Sequence, residues 1–179
     1  MVWFLFGFMC AVVLALAGAY FKFASLKKAV LQAKLRLDLQ LKKRGELIAP
    51  LSLLSAAVPE LGKGFSYSLN QLKEQEGLSL NFATRVAREE EISRTLHNLF
   101  QTLKKNDTYK QDEHFLHLLD ETARIEARIQ RHKRRYNSAV RDFNTLTEFV
   151  PLNLWARLLD FESFEYFDFH PSTNKLDED

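Results

Sequence analysis

Two histidines and a glutamate share one helical face near the middle of the chain, where they could ligate a metal ion. His114, His117 and Glu121 follow spacings of three and four residues, with Glu113 and Asp120 close by. A two-metal carboxylate site in a helical bundle needs matching Glu-x-x-His sets on two helices. The sequence has one such cluster. We therefore predict no metal, and keep as an alternative a metal-dependent or otherwise unrecognised enzyme using the His114–His117 region.

A basic strip follows these residues. Its arginines recur at steps of four, three and four, with two more cations beside them: Arg124, Arg128, Arg131 and Arg135, with Lys133 and Arg134. Such a strip can bind anionic lipid headgroups or nucleic acid. No aromatic residues interleave with the arginines, as single-stranded nucleic acid would require, and net charge is only +2. We predict no nucleic-acid partner and favour ion pairs with acids such as Glu89 to Glu91, with lipid as the alternative contact.

Catalytic signatures are missing from the sequence. It contains no nucleophile elbow, nucleotide-binding glycine fingerprint or cysteine-metal spacing. The run Gly62–Ser66 lacks the Gly-x-x-x-x-Gly-Lys spacing of a phosphate loop. The single cysteine, Cys10, cannot form an internal disulfide. We expect a non-enzymatic protein without a cofactor.

A long predicted helix, Asp112 to Val150, must position these candidates. Alternating steps of three and four select a stripe in which all but two positions are apolar or aromatic: Phe115, Leu118, Thr122, Ile125, Ile129, His132, Tyr136, Ala139, Phe143, Leu146 and Val150. At about 1.5 Å per residue the helix is roughly 55 Å long. A helix of that length with one apolar stripe needs other long helices to cover it, which predicts an all-α bundle.

The same helix carries a pattern that resembles the LemA family of bacterial membrane proteins. The matching residues are Arg128-Ile129, Tyr136-Asn137, Val140, Asn144, Pro151, Asn153, Phe161 and Tyr166-Phe167, with a second group at Asp38, Gln40 to Arg44 and Leu47-Ile48. Phe143 stands where the family usually has Tyr, Val150 where it has Phe, and Ala49 where it has Pro. The resemblance implies an N-terminal transmembrane helix followed by an antiparallel bundle of three to four long helices, and no particular chemistry.

Two aromatic-Asn pairs lie seven residues apart within this pattern, at Tyr136-Asn137 and Phe143-Asn144. An Asn near a packed seam can fix the register between helices at a cost in stability. We therefore predict a helix-register role for the family motif. Its members are Tyr136, Asn137, Val140, Phe143, Asn144 and Pro151.

The N-terminal residues Val2 to Phe21 contain no charge and are long enough to span a membrane as a helix. Ala17-Gly18-Ala19 resembles a signal-peptide cleavage site, but no Lys or Arg precedes the apolar run. A retained anchor is therefore favoured over a cleaved signal. The predicted domains are an anchor over residues 1–22, a helical bundle over 23–170 and an acidic disordered tail over 171–179.

Cations follow the apolar run, beginning with Lys22, Lys27 and Lys28. The positive-inside rule then places the N-terminus outside and the bundle in the cytoplasm, at the cell inner membrane; a periplasmic bundle is the alternative. The same lysines are candidate contacts for anionic lipid or a partner.

Two further helices are predicted before the organising helix. The first covers Ser25–Ile48 and is kinked or ended by Pro50. Its leucines Leu35, Leu37, Leu39 and Leu41 alternate with polar residues, so they occupy more than one helical face and suit several neighbours or another subunit. A short helix is expected over Tyr67–Gln75, and a long one follows with Ser79 as its N-cap.

The C-terminal region alternates acids with aromatics, from Phe161 to Phe169. These rings either fold back onto the bundle or form a docking strip for a partner; the first is favoured because large aromatics rarely stay exposed in a row. The chain as a whole suggests a membrane scaffold that self-associates and organises lipid or partner proteins. An anionic-lipid or ligand sensor using the strip from Arg124 to Arg135 is a further alternative.

Overall fold

The computed structural model describes residues 2–56, 81–105, 112–148 and 161–167, with Tyr67, Ser68, Asn70, Gln71, Glu74, Asn153, Leu154 and Ala156. Three long helices make up most of this part: α1 (Val2–Ala56), α2 (Phe82–Leu103) and α3 (Glu113–Glu148). No strand occurs within the described ranges. The predicted all-α fold, a long apolar N-terminal helix followed by helices that pack together, is confirmed.

The first helix continues through Pro50 to Ala56, so the prediction that it ends at this proline is wrong. Proline has no amide hydrogen to give to the Glu46 carbonyl. Ile48 and Leu51 on either side of it are buried, and their burial stabilises the helical turn that the proline weakens.

The leucines of α1 do occupy more than one face, as predicted. Leu37 and Leu41 are buried, whereas Leu35 and Leu39 are more than half exposed. The alternation seen in the sequence therefore separates an inward face from an outward face of one helix rather than the two faces of a strand.

The second helix begins one turn later than Ser79, which lies outside the described residues. Its N-cap is Asn81, whose side-chain oxygen accepts the Thr84 amide at 2.8 Å. Asp112 caps α3 in the same way, accepting the Phe115 amide at 3.0 Å. Both caps satisfy amides that have no partner within the first helical turn.

The chain divides into two compact units, Met1–Arg36 with His132–Tyr166 and Leu37–Arg131 with Phe167–Asp179. Both α1 and α3 therefore contribute to each unit. The boundaries predicted from the sequence are a different division; residues 171–179 of that division lie outside the described part of the chain.

In the second unit, α1 and α2 run in the same direction. Asp38 pairs with Arg85, and six residues later Arg44 pairs with Glu89, so the contacts advance together along both helices. The chain must therefore return between the end of α1 and the start of α2.

The third helix runs antiparallel to α2. Ser93 contacts Glu126, whereas the Phe100 ring, further along α2, lies 6.3 Å from the earlier Phe115 ring. Because α1 and α2 are parallel in this unit, α3 is antiparallel to both. This antiparallel packing agrees with the predicted bundle.

The predicted stripe of α3 is its buried face. Fully buried members are Phe115, Leu118, Thr122, Ile125, Ile129, Tyr136 and Phe143; His132, Ala139 and Leu146 are partly buried, and Val150 lies outside the described residues. The spacing of three and four thus identified the core-facing side of this helix correctly.

Candidate functional sites

A buried arginine joins the three helices of the second unit. Arg44 of α1 is 1% exposed and heads the fully buried side chains by volume. Its Nη2 donates to the Glu89 carboxylate and, at 3.1 Å, to the Glu89 main-chain oxygen. Its Nη1 donates to Ser93 Oγ at 2.5 Å and to Glu126 Oε1 at 3.0 Å. Glu89 and Ser93 belong to α2 and Glu126 to α3, so one guanidinium holds both neighbouring helices.

The charges around this arginine are balanced. Arg88 donates to the second carboxylate oxygen of Glu89, and Ser93 Oγ lies 3.2 and 3.3 Å from the two carboxylate oxygens of Glu126. Two cations thus face two carboxylates. A buried charge is very costly unless it is paired and hydrogen-bonded, and both conditions are met here.

Arginine suits this position for a geometric reason. Its planar guanidinium presents several N–H donors in a fixed fork, so it can reach acceptors on two helices at once, whereas a lysine ammonium is a compact point charge. The arrangement can therefore fix the register of three helices. We call Arg44, Arg88, Glu89, Ser93 and Glu126 the Arg44 network.

The basic strip of α3 does not make the favoured pairs with Glu89 to Glu91. Glu89 pairs with Arg44 and Arg88, and Glu91 pairs with Arg94 on its own helix at 2.8 Å. Arg124 pairs with Asp120, one turn earlier in α3, at 2.9 Å. The reason is position: Arg124, Arg128, Arg131 and Arg135 are all exposed, on the side of α3 that does not face the core.

The histidine cluster is also exposed. His114 and His117 lie on the outer side of α3, and the His117 ring nitrogen is 4.0 Å from the nearest Glu121 oxygen. Among the described residues, no group of three or more potential metal ligands comes together. The enzyme alternative at this cluster gains no support from the described part of the chain.

A second constellation holds the extended residues 161–166 in the first unit. The Asn144 side chain binds the Phe164 peptide from both sides: its amide nitrogen donates to the Phe164 oxygen and its oxygen accepts the Phe164 amide, both at 2.9 Å. The Tyr136 hydroxyl donates to the Glu165 main-chain oxygen at 2.9 Å. We call this arrangement the clasp.

Aromatic packing completes the clasp. The Phe161 ring stacks on Phe23 with centroids 5.0 Å apart, and the Phe164 ring meets Phe143 edge to face, also at 5.0 Å. The Lys27 ammonium lies 5.4 Å from the centre of the Phe161 ring, a cation–π contact. The favoured interpretation, that these aromatics fold back onto helices, describes Phe161 and Phe164 well.

The family motif therefore acts differently from the register role proposed for it. Asn144 bonds an extended segment rather than a neighbouring helix. Phe143 and Val140 are core residues, Asn137 is half-buried and has a polar or ring contact of its own, and Pro151 lies outside the described residues. Of the candidate lipid contacts near the N-terminus, Lys22, Lys27 and Lys28 are all exposed.

Removing the Asn144 amide should release the extended segment. Asn144→Ala deletes two hydrogen bonds, each contributing roughly 0.5–1.5 kcal/mol to stability. We expect faster hydrogen exchange at the Phe164 amide and across residues 161–166, measured by mass spectrometry. Thr145→Ala, an exposed neighbour, is the matched control and should change nothing. Equal protection of the segment in wild type and Asn144→Ala would contradict the assignment.

Comparison with known proteins supports the family resemblance. A search of curated proteins finds no match. The model of the LemA family matches residues 33–177, which includes both constellations and leaves out only the apolar N-terminal stretch, the first residues after it and the last two residues. The match covers most of the chain, and on this ground the chain belongs to the LemA family.

Proposed function

We propose that this chain is a non-enzymatic, membrane-anchored scaffold. It self-associates at the membrane through copies anchored side by side, and it organises lipid or partner proteins there. The N-terminal part of α1 is the anchor, and the helical units present the binding surfaces. Membrane lipid and a second copy of the chain are the expected partners.

The observation that carries this proposal is the change of environment along α1. Its N-terminal window has a mean hydropathy of 2.2 and none of it is buried, so the helix is long and apolar enough to cross a membrane. Trp3, Phe4 and Phe21 expose 70% or more of their surface. Two residues after Phe21, Phe23 is fully buried. An exposed apolar surface of this extent needs lipid or protein to cover it.

The charges beside the anchor support one orientation. Lys22, Lys27 and Lys28 are exposed and follow the apolar segment immediately, which by the positive-inside rule favours a cytoplasmic bundle on a single-pass inner-membrane protein. Lysines this close to the membrane surface can also contact anionic headgroups, worth about 1 kcal/mol each. A periplasmic bundle is the alternative arrangement.

Exposed leucines outside the anchor support association between copies. Leu31 and Leu35 are 50% and 61% exposed, on adjacent turns of α1 in the first unit. Anchoring confines the copies to one membrane and raises their effective concentration, so a modest apolar contact suffices to assemble them.

Particle size tests the scaffold directly. We expect the full-length protein in mild detergent to form a large, uniform assembly by light scattering, and a fragment that begins at Lys22 to form a smaller one. The fragment must retain Phe23, because this side chain is fully buried against the rest of its unit. Monomers in both samples would show that self-association is wrong.

A further inference from the structure

The clasp has the properties of a peptide-binding groove. Asn144 pairs with both the N–H and the C=O of one peptide group, and Tyr136 donates to the next carbonyl. These bonds read main chain, which any extended peptide presents in the same way. Helices seldom bind an extended segment by main-chain contacts, because their own backbone groups are already paired; side-chain amides and hydroxyls supply the missing partners here.

The side chains of the bound segment define what the groove selects. Phe161 and Phe164 enter contacts with Phe23 and Phe143, three positions apart in the segment. Glu162 and Glu165, which follow each aromatic, are exposed. Lys27 beside the Phe161 ring adds a cation near these acids. The groove therefore suits an extended peptide with aromatics at positions one and four and acids at positions two and five.

We infer that this groove also takes residues 161–166 of a second copy, so that neighbouring chains exchange their extended segments. The inference rests on the proposed self-association and gives it a specific contact. A second copy presents the matching sequence by identity, and every clasp bond lost within a chain is regained between chains. Anchoring in one membrane keeps the concentration of that segment high.

The connection to α3 favours exchange. Only residues 149–152, which include Pro151, lie between the end of α3 at Glu148 and the helical residue Asn153. Phe161 donates its amide to the Ala156 oxygen at 2.9 Å, so the helical residues around Ala156 move with the segment. Four residues span about 13–14 Å when extended, more than the 8–10 Å between packed helices. Short connections of this kind favour exchange between copies.

Cross-linking two distinguishable copies tests the exchange. In a Cys10→Ser background, one tagged chain carries Thr145→Cys, next to Asn144, and a second carries Ser163→Cys, next to Phe164; both positions are exposed. The full-length chains are coexpressed and treated in membranes with a short bismaleimide. We expect a cross-linked heterodimer, and at least tenfold less of it when Phe164→Ala is added to the second chain. A first chain with Gln130→Cys, about 21 Å earlier along α3, is the positional control and should give the same low yield.

Two outcomes overturn the exchange and separate it from the scaffold. If the particle is large but the heterodimer is absent, while a chain carrying both cysteines cross-links only to itself, the segment stays on its own chain and self-association uses another surface. If heterodimer forms equally with Gln130→Cys or with Phe164→Ala, it reports crowding, and the groove plays no part. A monomeric particle would remove both proposals together.

Discussion

Replacing Arg44 with alanine is expected to lower the free energy of unfolding by about 3–5 kcal/mol, the cost of leaving a buried charge without its partner. Arg44 is 1% exposed, and its removal strands the Glu89 carboxylate, itself 7% exposed, with only Arg88 beside it. Ser93 and Glu126 lose a donor at the same time. Pulse proteolysis in urea, on the full-length protein in detergent, measures the change.

The Asp38–Arg85 pair is the matched control for this prediction. It joins the same two helices one and a half turns earlier, with a 2.6 Å contact, but both side chains are about one-third exposed. An exposed pair of this kind contributes roughly 0–1 kcal/mol. Arg85→Ala should therefore cost at least 2 kcal/mol less than Arg44→Ala, by the same ranges. Equal losses for the two variants would mean that burial does not set the importance of Arg44.

A double variant separates pairing from packing. Arg44→Met with Glu89→Leu removes both charges and replaces them with apolar groups of comparable length. Apolar replacement of a whole buried ion pair is often neutral or stabilising. We expect this variant to recover most of the stability that Arg44→Ala loses, and to lose specificity instead: helix register would then rest on the apolar stripes alone. Recovery would show that the network selects one arrangement more than it stabilises it.

The Arg44 network could have been read from the sequence by extending the stripe argument to the other helices. Leu37, Leu41, Arg44, Ile48 and Leu51 follow steps of four and three, so Arg44 stands in the middle of an apolar stripe. We grouped it instead with the neighbouring lysines as part of a cationic flank. Charge proximity in sequence carried that grouping, whereas helical phase decides which side of a helix a charge occupies.

The same phase identifies the acidic partner. Val86, Glu89, Ser93, Leu96, Phe100 and Leu103 recur at steps of three and four, which puts Glu89 and Ser93 on the buried side of α2. Glu90 and Glu91 have neither phase. A run of three glutamates therefore contains one core residue, and treating it as a uniform acidic surface hid the pairing.

The clasp could not be derived in this way. The stripe places Tyr136 and Phe143 toward the core, but it says nothing about what covers them. An extended segment twenty residues further along the chain, with no periodicity of its own, supplies that cover through main-chain bonds to Asn144. Bonds to main chain leave no trace in the identity of the bound residue. The aromatic spacing at Phe161 and Phe164 was the available clue, and it indicated burial without indicating where.

The two units also use polar groups in different ways. In the second unit, charged side chains from three helices meet, and each partner is fixed by complementary charge. In the first unit, neutral side chains hold a backbone, and aromatic contacts choose the segment. A charge network of the first kind specifies internal register. A neutral groove of the second kind can accept any chain that offers the right peptide, which is why we place the exchange between copies there.

Phe143→Ala is expected to lower the free energy of unfolding by about 3–5 kcal/mol, the usual range for truncating a buried phenylalanine. The ring is fully buried and lies 5.0 Å from Phe164 and 6.2 Å from both Phe23 and Phe161. Its loss opens a cavity under both aromatics of the bound segment, so residues 161–166 should also exchange hydrogen faster than in Asn144→Ala. Leu116→Ala, at a 43% exposed position of the same helix, is the control and should cost well under 1.5 kcal/mol, because little area leaves the core. If Phe143→Ala lowers stability but leaves the segment protected, then Asn144 and Tyr136 hold the segment without the aromatic contacts, and the groove selects backbone alone.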